Sequence, residues 1–305
     1  MDGDPARGAR RTTKPLTRPL ESSILAGALV EFAQQGIASD RTRPGLGEPP
    51  EPPRKLRVLF VTEDDPIYVI RFFDSFLVEY PREELTIVGM TIVAPFRESL
   101  AATARRMLSF YGVVGSARLA VRFAGAKLRR RSIATLAKRE GIPLIPTSSV
   151  NDSRYVARIR ELAPDVIVSV AAPEIFRDEI LSVPRLACIN LHSGRLPKFR
   201  GMMPAFWQML GGEREATVTV HEMAREVDAG RILGTVECAI HERDSVDRLM
   251  TEAKVAGAGL MIHVLGEIAS GTVVPRPLDM SEASYYSFPA RQDARNLLRR
   301  GHRLL

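Results

Sequence analysis

KLRVLFVTEDDPIYVIRFFDSFLVEYPREELTIVGMTIV, residues 55–93, joins a strand pattern, a helix pattern and a second strand pattern. Lys55 to Thr62 is an apolar, β-branched run of strand length, and Leu85 to Val93 repeats it after a helical pattern that runs through Glu79. Two such strands joined by a helix imply a parallel pair with a right-handed crossover. The alternation continues downstream. A helix is expected over Ser132 to Glu140, a strand over Pro143 to Ile145, a helix over Asp152 to Leu162 and a strand over Asp165 to Val170. Another helix then precedes a strand that ends at Asn190. The fold class is therefore α/β, a doubly wound and mostly parallel sheet whose ligands gather beyond the carboxyl ends of its strands.

Beyond that strand the chain reads Cys188-Ile189-Asn190-Leu191-His192-Ser193-Gly194-Arg195-Leu196-Pro197-Lys198-Phe199-Arg200-Gly201. Asn190 and His192 are two apart behind the apolar run from Leu186, so on a strand both side chains leave one face. The Gly- and Pro-rich segment that follows cannot continue the ladder and is expected to wrap the site as a loop. Ala216 to Glu222 and Arg231 to Glu242 read as two strands flanking Glu226-Val227-Asp228-Ala229-Gly230. Ser245 to Ser270 reads as a long helix with Asp244 or Ser245 as N-cap and Gly271 as its stop.

The composite of Asn190-x-His192, the loop ending Leu196-Pro197-Lys198-Phe199-Arg200-Gly201, Pro204, Trp207, Thr219-Val220-His221 and Val227-Asp228-Ala229-Gly230 resembles the folate-dependent formyltransferase family. The resemblance covers roughly Leu56 to Gly271 and is weak between about Phe96 and Arg131. It implies 10-formyltetrahydrofolate as formyl donor and a primary amine on a small-molecule or sugar-type acceptor. It also implies Asn190 as donor to a developing oxyanion, His192 as the proton-transfer group and Asp228 as the carboxylate that holds the imidazole. By matched distance, Glu174, Ile175 and Phe176 fall at the family's pterin-contact segment, with Val227 beside Asp228. Taken singly, Asn190 reads as a loop former, His192 as a surface histidine and Asp228 as half of an ordinary turn. His221, on a strand, reads as a structural residue.

The first strand-to-helix turn, Thr62-Glu63-Asp64-Asp65-Pro66, departs from the glycine-rich phosphate loop of the glycinamide ribonucleotide formyltransferases, and its carboxylates disfavour a phosphate. Methionyl-tRNA formyltransferase remains an alternative, weakened by the short stretch after Gly271. A formyltetrahydrofolate hydrolase and a catalytically silent folate-binding relative also stay open.

Composition places the chain in the ordinary globular class, with 305 residues, 45% apolar and 26% charged. No apolar run approaches the ~20 residues of a bilayer-spanning helix, and without a secretory leader pattern the expected location is cytoplasmic. Cys188 and Cys238 read as buried filler. Histidine and acid spacings match no tight metal-ligand pair. Residues 1–54 are expected to be a largely disordered extension with one short helix at Ser23 to Gln35, 55–271 the catalytic domain and 272–305 a tail. An insertion at about 97–131 is basic and amphipathic; between Ala104 and Arg131 it has eight Arg or Lys and no acid. It fits either a peripheral contact with an anionic membrane or lipid-linked acceptor, or a solvent-facing helix pair with its apolar stripe in the core. Net charge of +7 suits acidic or nucleotide-linked partners, and nucleic acid is disfavoured because no RNA-binding motif accompanies the patch.

Overall fold

The computed structural model describes residues 54–94 and 99–305. The expected extension and its helix at Ser23 to Gln35 lie outside the described residues, as do the first positions of the basic insertion. Six strands form one sheet: β1 (Leu56–Thr62), β2 (Leu85–Ile92), β3 (Val166–Val170), β4 (Ala187–His192), β6 (Glu215–Glu222) and β7 (Ile232–Ala239). Their order is β2-β1-β3-β4-β6-β7. The first four are parallel, and β6 and β7 continue the sheet antiparallel. Because β2 and β3 lie on opposite sides of β1, the order reverses between β1 and β3. That is where a doubly wound sheet opens a crevice at its carboxyl edge.

Strand alternation sorts the core into two layers. Val58 and Phe60 of β1, Val166, Val168 and Val170 of β3, and Ile189 and Leu191 of β4 face one side. There α1 (Val69–Glu79), α3 (Ile133–Arg139), α6 (Pro204–Gly211) and the long α7 (Val246–Ser270) cover them. Leu59, Val61, Ile167 and Cys188 face the other side, against α4 (Ser153–Leu162) and α5 (Asp178–Leu181). With period two, Asn190 and His192 share the face of Cys188.

Helix boundaries follow their caps. The Ser132, Asp152 and Ser245 side chains accept the first free N–H groups of α3, α4 and α7, and Gly271 ends α7 at φ 70°. Two expectations change. Pro143 to Ile145 forms only a bridge, Leu144 to Met90, because Pro143 and Pro146 limit pairing along the edge of β2. The strand expected to end at Asn190 runs on through His192, since Asn190 to His192 pair with β6.

The basic insertion forms two helices joined across a kink at Gly112, where φ is 69°, here labelled together α2 (Leu100–Leu128). The tail packs into the same core. In α8 (Arg291–Arg299) Ala294 and Leu297 are buried, as is Leu304, and β8 (Tyr285–Tyr286) pairs with β5 (Arg200–Gly201).

Phe60 anchors the α1 side, edge-on to Phe72, Phe73 and Phe76 at centroid separations of 6.2, 5.4 and 5.0 Å. Phe60→Ala is expected to lower unfolding free energy by about 3–5 kcal/mol in urea titrations; a loss under about 1 kcal/mol would contradict this packing.

Candidate active site

Register brings three strand ends level. Thr62 pairs with Val170, and Val170 with Leu191, so the turn after β1, the loop after β3 and His192 share one edge. Two loops close over that edge. The first, Ser193 to Met203, contains a cis Leu196–Pro197 peptide and places Phe199 and Met203 at positive φ. The second lies between β6 and β7 and carries Asp228, itself at φ 52°. Asp and Asn tolerate that conformation better than most residues. A side chain at Gly230 would stand 1.9 Å from the Glu222 carbonyl oxygen, so only glycine lets the turn approach β6.

Asn190, His192 and Asp228 come together. Asp228 Oδ2 lies 3.6 Å from His192 Nδ1 and accepts the Gly201 N–H at 2.9 Å. Its other oxygen is 3.6 Å from His221 Nε2. His192 Nε2 is 2.9 Å from the Phe199 carbonyl oxygen, to which it donates. His221 donates from Nδ1 to the carbonyl of Glu222 at 2.7 Å, and its Nε2 is 3.2 Å from the Asn190 amide nitrogen. The structural role expected for His221 thus has a partner: it aligns Asn190 against Asp228. The Cα of Gly194 abuts His192, and a Cβ there would meet Nε2 at 2.7 Å and Pro204 at 2.6 Å.

Burial holds the His192 imidazole below its ordinary 6.5; Asp228 and the Phe199 carbonyl pull the other way, while His221 and Lys254 add to the depression. Burial would lift the Asp228 carboxyl, but the His192 ring, the contact with His221 and the Gly201 N–H outweigh it and hold the group well below 3.8. The outcome is a carboxylate facing an imidazole whose protonation burial resists. Both depressed groups act with one sign. The unfolded chain takes up protons first, so stability from these sites falls with pH, beginning near 6.5 for His192 and below 3.8 for Asp228.

The expected pterin-contact segment follows β3. The Glu174 carboxylate accepts from Val150 N–H at 2.8 Å and from the Asn151 amide at 2.9 Å, and the Ser149 hydroxyl also donates to it. It therefore braces the 149–151 turn. The Phe176 ring is core, 2% exposed, whereas the Ile175 side chain is 59% exposed. An Arg225–Asp178 ion pair ties this segment to the approach of the Asp228 loop. Val227 offers its carbonyl to the Arg200 guanidinium at 2.6 and 3.1 Å, and Arg200 also pairs with Glu226 at 2.7 Å. Lys198 pairs with Glu282 at 3.3 Å. Both loop cations are thus engaged in pairs that stabilise the loops.

Lys254 escaped the sequence reading. It lies on the apolar stripe of α7, 9% exposed, with Nζ 3.4 Å from the Ser193 hydroxyl. Burial lowers its proton affinity, against the pull of Glu63 and Asp65. Burial and then Asp65 push Glu63 up to about 7, with Lys254 opposing. The available signal was a lysine where the helical period of Met250, Gly257 and Met261 demands an apolar residue.

Residues 119–265 match the family model described as formyl transferase. The chain is similar to the methionyl-tRNA formyltransferase of Macrococcus caseolyticus, 33% identical over 161 residues, which cover 53% of this chain and 52% of that one. The chain spans about half the length of the curated relatives it matches. Among solved structures, a sugar N-formyltransferase from Shewanella sp shares the fold at TM-score 0.52 and 19% identity, over 80% of this chain and 87% of that one. The N-formyltransferase of Helicobacter canadensis, in complex with folinic acid and dTDP-3-aminofucose, does so at TM-score 0.52 and 16% identity, over 81% and 80%.

NMR titration of the imidazole C–H signals is expected to place His192 below 6.5. Asp228→Asn should lower it further, because the carboxylate favours the imidazolium. A rise in that variant would show that Asp228 does not act on His192.

Proposed function

We propose that this domain transfers a formyl group from 10-formyltetrahydrofolate to a primary amine of a small-molecule, sugar- or nucleotide-linked acceptor. What supports the reading is the cluster at the carboxyl edge: an amide, a buried imidazole and a carboxylate within 3.6 Å contacts of one another through His221. The Helicobacter relative binds a folate and an amino sugar nucleotide together. The match of residues 119–265 to the formyl transferase model favours the same donor here.

The residues present fit a folate. Ile175 provides an exposed apolar wall on a segment braced from beneath by Glu174 and tied to the Asp228 loop. Ile175, the backbone of Glu174 to Phe176 and the backbone around Val227 would hold it. When bound, it supplies an electrophilic formyl carbon and a leaving amine nitrogen. Asn190 would offer its amide N–H to the formyl oxygen, where negative charge develops. His192, largely neutral at pH 7 because of burial, accepts the proton that the acceptor nitrogen loses on forming its bond to carbon. It would return that proton to the leaving nitrogen. Asp228, 3.6 Å from Nδ1, stabilises the transient imidazolium. Nε2 is engaged by Phe199, so proton exchange runs through the Nδ1 side.

Identity of 33% with a methionyl-tRNA formyltransferase favours a second reading, formylation of methionyl-tRNA by the same groups. Incubation with 10-formyltetrahydrofolate and amino sugar nucleotides, free amines or methionyl-tRNA separates the two. Formylated small amines with tetrahydrofolate release are expected; product on tRNA alone would favour the second reading. Release without any acceptor would mark a hydrolase. Asn190→Ala is expected to reduce kcat by about 10²–10³ with the fold intact, and full activity in that variant would overturn the assignment.

A further inference from the structure

The α2 segment presents two features that formyl transfer does not use, and they adjoin. The first is a hollow of about 380 Å³ between the start of α1 and α2, whose lining includes Pro66, Arg71, Val121, Arg122, Arg129 and Arg131. Two of its four guanidinium groups are matched: Arg122 pairs with Asp247 at 2.6 Å and Arg131 with Asp74 at 2.7 Å. Arg71 and Arg129 make no side-chain hydrogen bond or ion pair among the described residues. The lining therefore carries an excess of two positive charges with planar donors suited to phosphoryl oxygens.

The second feature is the outer face of α2 beyond the Gly112 kink. Val113, Val114, Ala117, Val121, Ala124 and Leu128 fall within an arc of about 100° at helical periodicity, and all six are exposed. Leu128 is 86% exposed and Val113 76%. The opposite face is anchored, with Leu119 and Tyr111 packed on Ile67, Tyr68 and Met250. The stripe is thus fixed in position and faces outward. Arg118, Arg122, Lys127 and Arg129 flank it, and from Ser99 to Arg139 the chain has no acidic residue. A second copy of this chain would bring like charge against like charge. An RNA would leave the apolar stripe unused. An anionic bilayer surface satisfies both features: its phosphoryl groups meet the guanidinium groups, and its acyl boundary meets the valines and leucine. No helix among the described residues is long and apolar enough to cross a membrane, so such a contact lies along the surface.

We propose that α2 docks this protein on membranes rich in anionic phospholipid, with headgroup phosphates seated between Arg71 and Arg129 and the Val113-to-Leu128 stripe in the interface. The inference is independent of the formyl-transfer reading, and its test does not read activity. Flotation of the full chain with phosphatidylcholine vesicles, and with phosphatidylcholine containing phosphatidylglycerol or phosphatidic acid, is the experiment. Binding to the anionic vesicles alone is expected. Replacing both Arg71 and Arg129 by Ala should weaken it about thirtyfold, at ~1 kcal/mol per basic residue near the surface. Val121→Asp with Leu128→Asp should abolish the part of the binding that survives high salt. All four side chains are exposed, and an unchanged Tm would confirm intact folding of the variants. No binding to anionic vesicles, or binding indifferent to the Asp pair, overturns the proposal. So does a dimer in sedimentation equilibrium that the Asp pair dissociates, or RNA binding that out-competes the vesicles.

Discussion

The Asp228 carboxylate sets the arrangement of the site. It lies in a left-handed turn, accepts the Gly201 N–H at 2.9 Å, and reaches a histidine with each oxygen. Those contacts tie together three pieces of chain that the sheet alone would leave apart: the end of β4, the loop after it and the β6–β7 connection. A buried carboxylate left without partners would cost several kcal/mol or take up a proton. Here the Gly201 N–H compensates it, and an imidazole lies 3.6 Å from each oxygen.

The turn in turn depends on Arg200. Its guanidinium holds the Val227 carbonyl and Glu226, while its backbone pairs with Tyr285 in the small β5–β8 ladder. Phe199 stacks on Tyr286, which stacks on Trp207 at 4.6 Å. Ser284 accepts from Phe199 N–H and Arg200 N–H at 3.2 and 3.0 Å through its hydroxyl and carbonyl. The tail beyond Gly271 is therefore a clamp on the loop that receives the His192 N–H.

Local signals made the framework legible. Apolar runs of strand length marked β1 to β4, side-chain caps marked α3, α4 and α7, and the Asn190-x-His192 spacing on a strand put both groups on one face. What stayed hidden was long-range. Nothing near Glu174 in the chain signals that its carboxylate binds the 149–151 turn, and nothing near Arg200 signals that its charge is matched by a loop 26 residues away. Pairing of Leu191 and His192 with β6 likewise extends β4 past the point where its apolar run ends. The tail's role was beyond reach for the same reason, since Tyr286 and Trp207 meet only in the folded chain.

The acidic turn after β1 shows how a fold can alter the meaning of a motif. Read as sequence, Glu63, Asp64 and Asp65 present three equivalent negative charges. In the structure Asp64 accepts the Ile133 N–H at 2.7 Å, at the head of α3, and Asp65 accepts the Ile67 N–H at 2.8 Å, at the head of α1. Both act as anions at helix N-termini, where the free N–H groups and the dipole favour them. Glu63 alone is without such a partner, raised to about 7 by burial and Asp65 and moderated by the buried Lys254. The carboxyl edge of β1 is therefore not a uniformly repulsive wall. It carries one carboxyl poised to change charge near neutrality, opposite a lysine on α7 whose ammonium approaches Ser193, the residue after His192. Lys254 couples electrostatically to both Glu63 and His192.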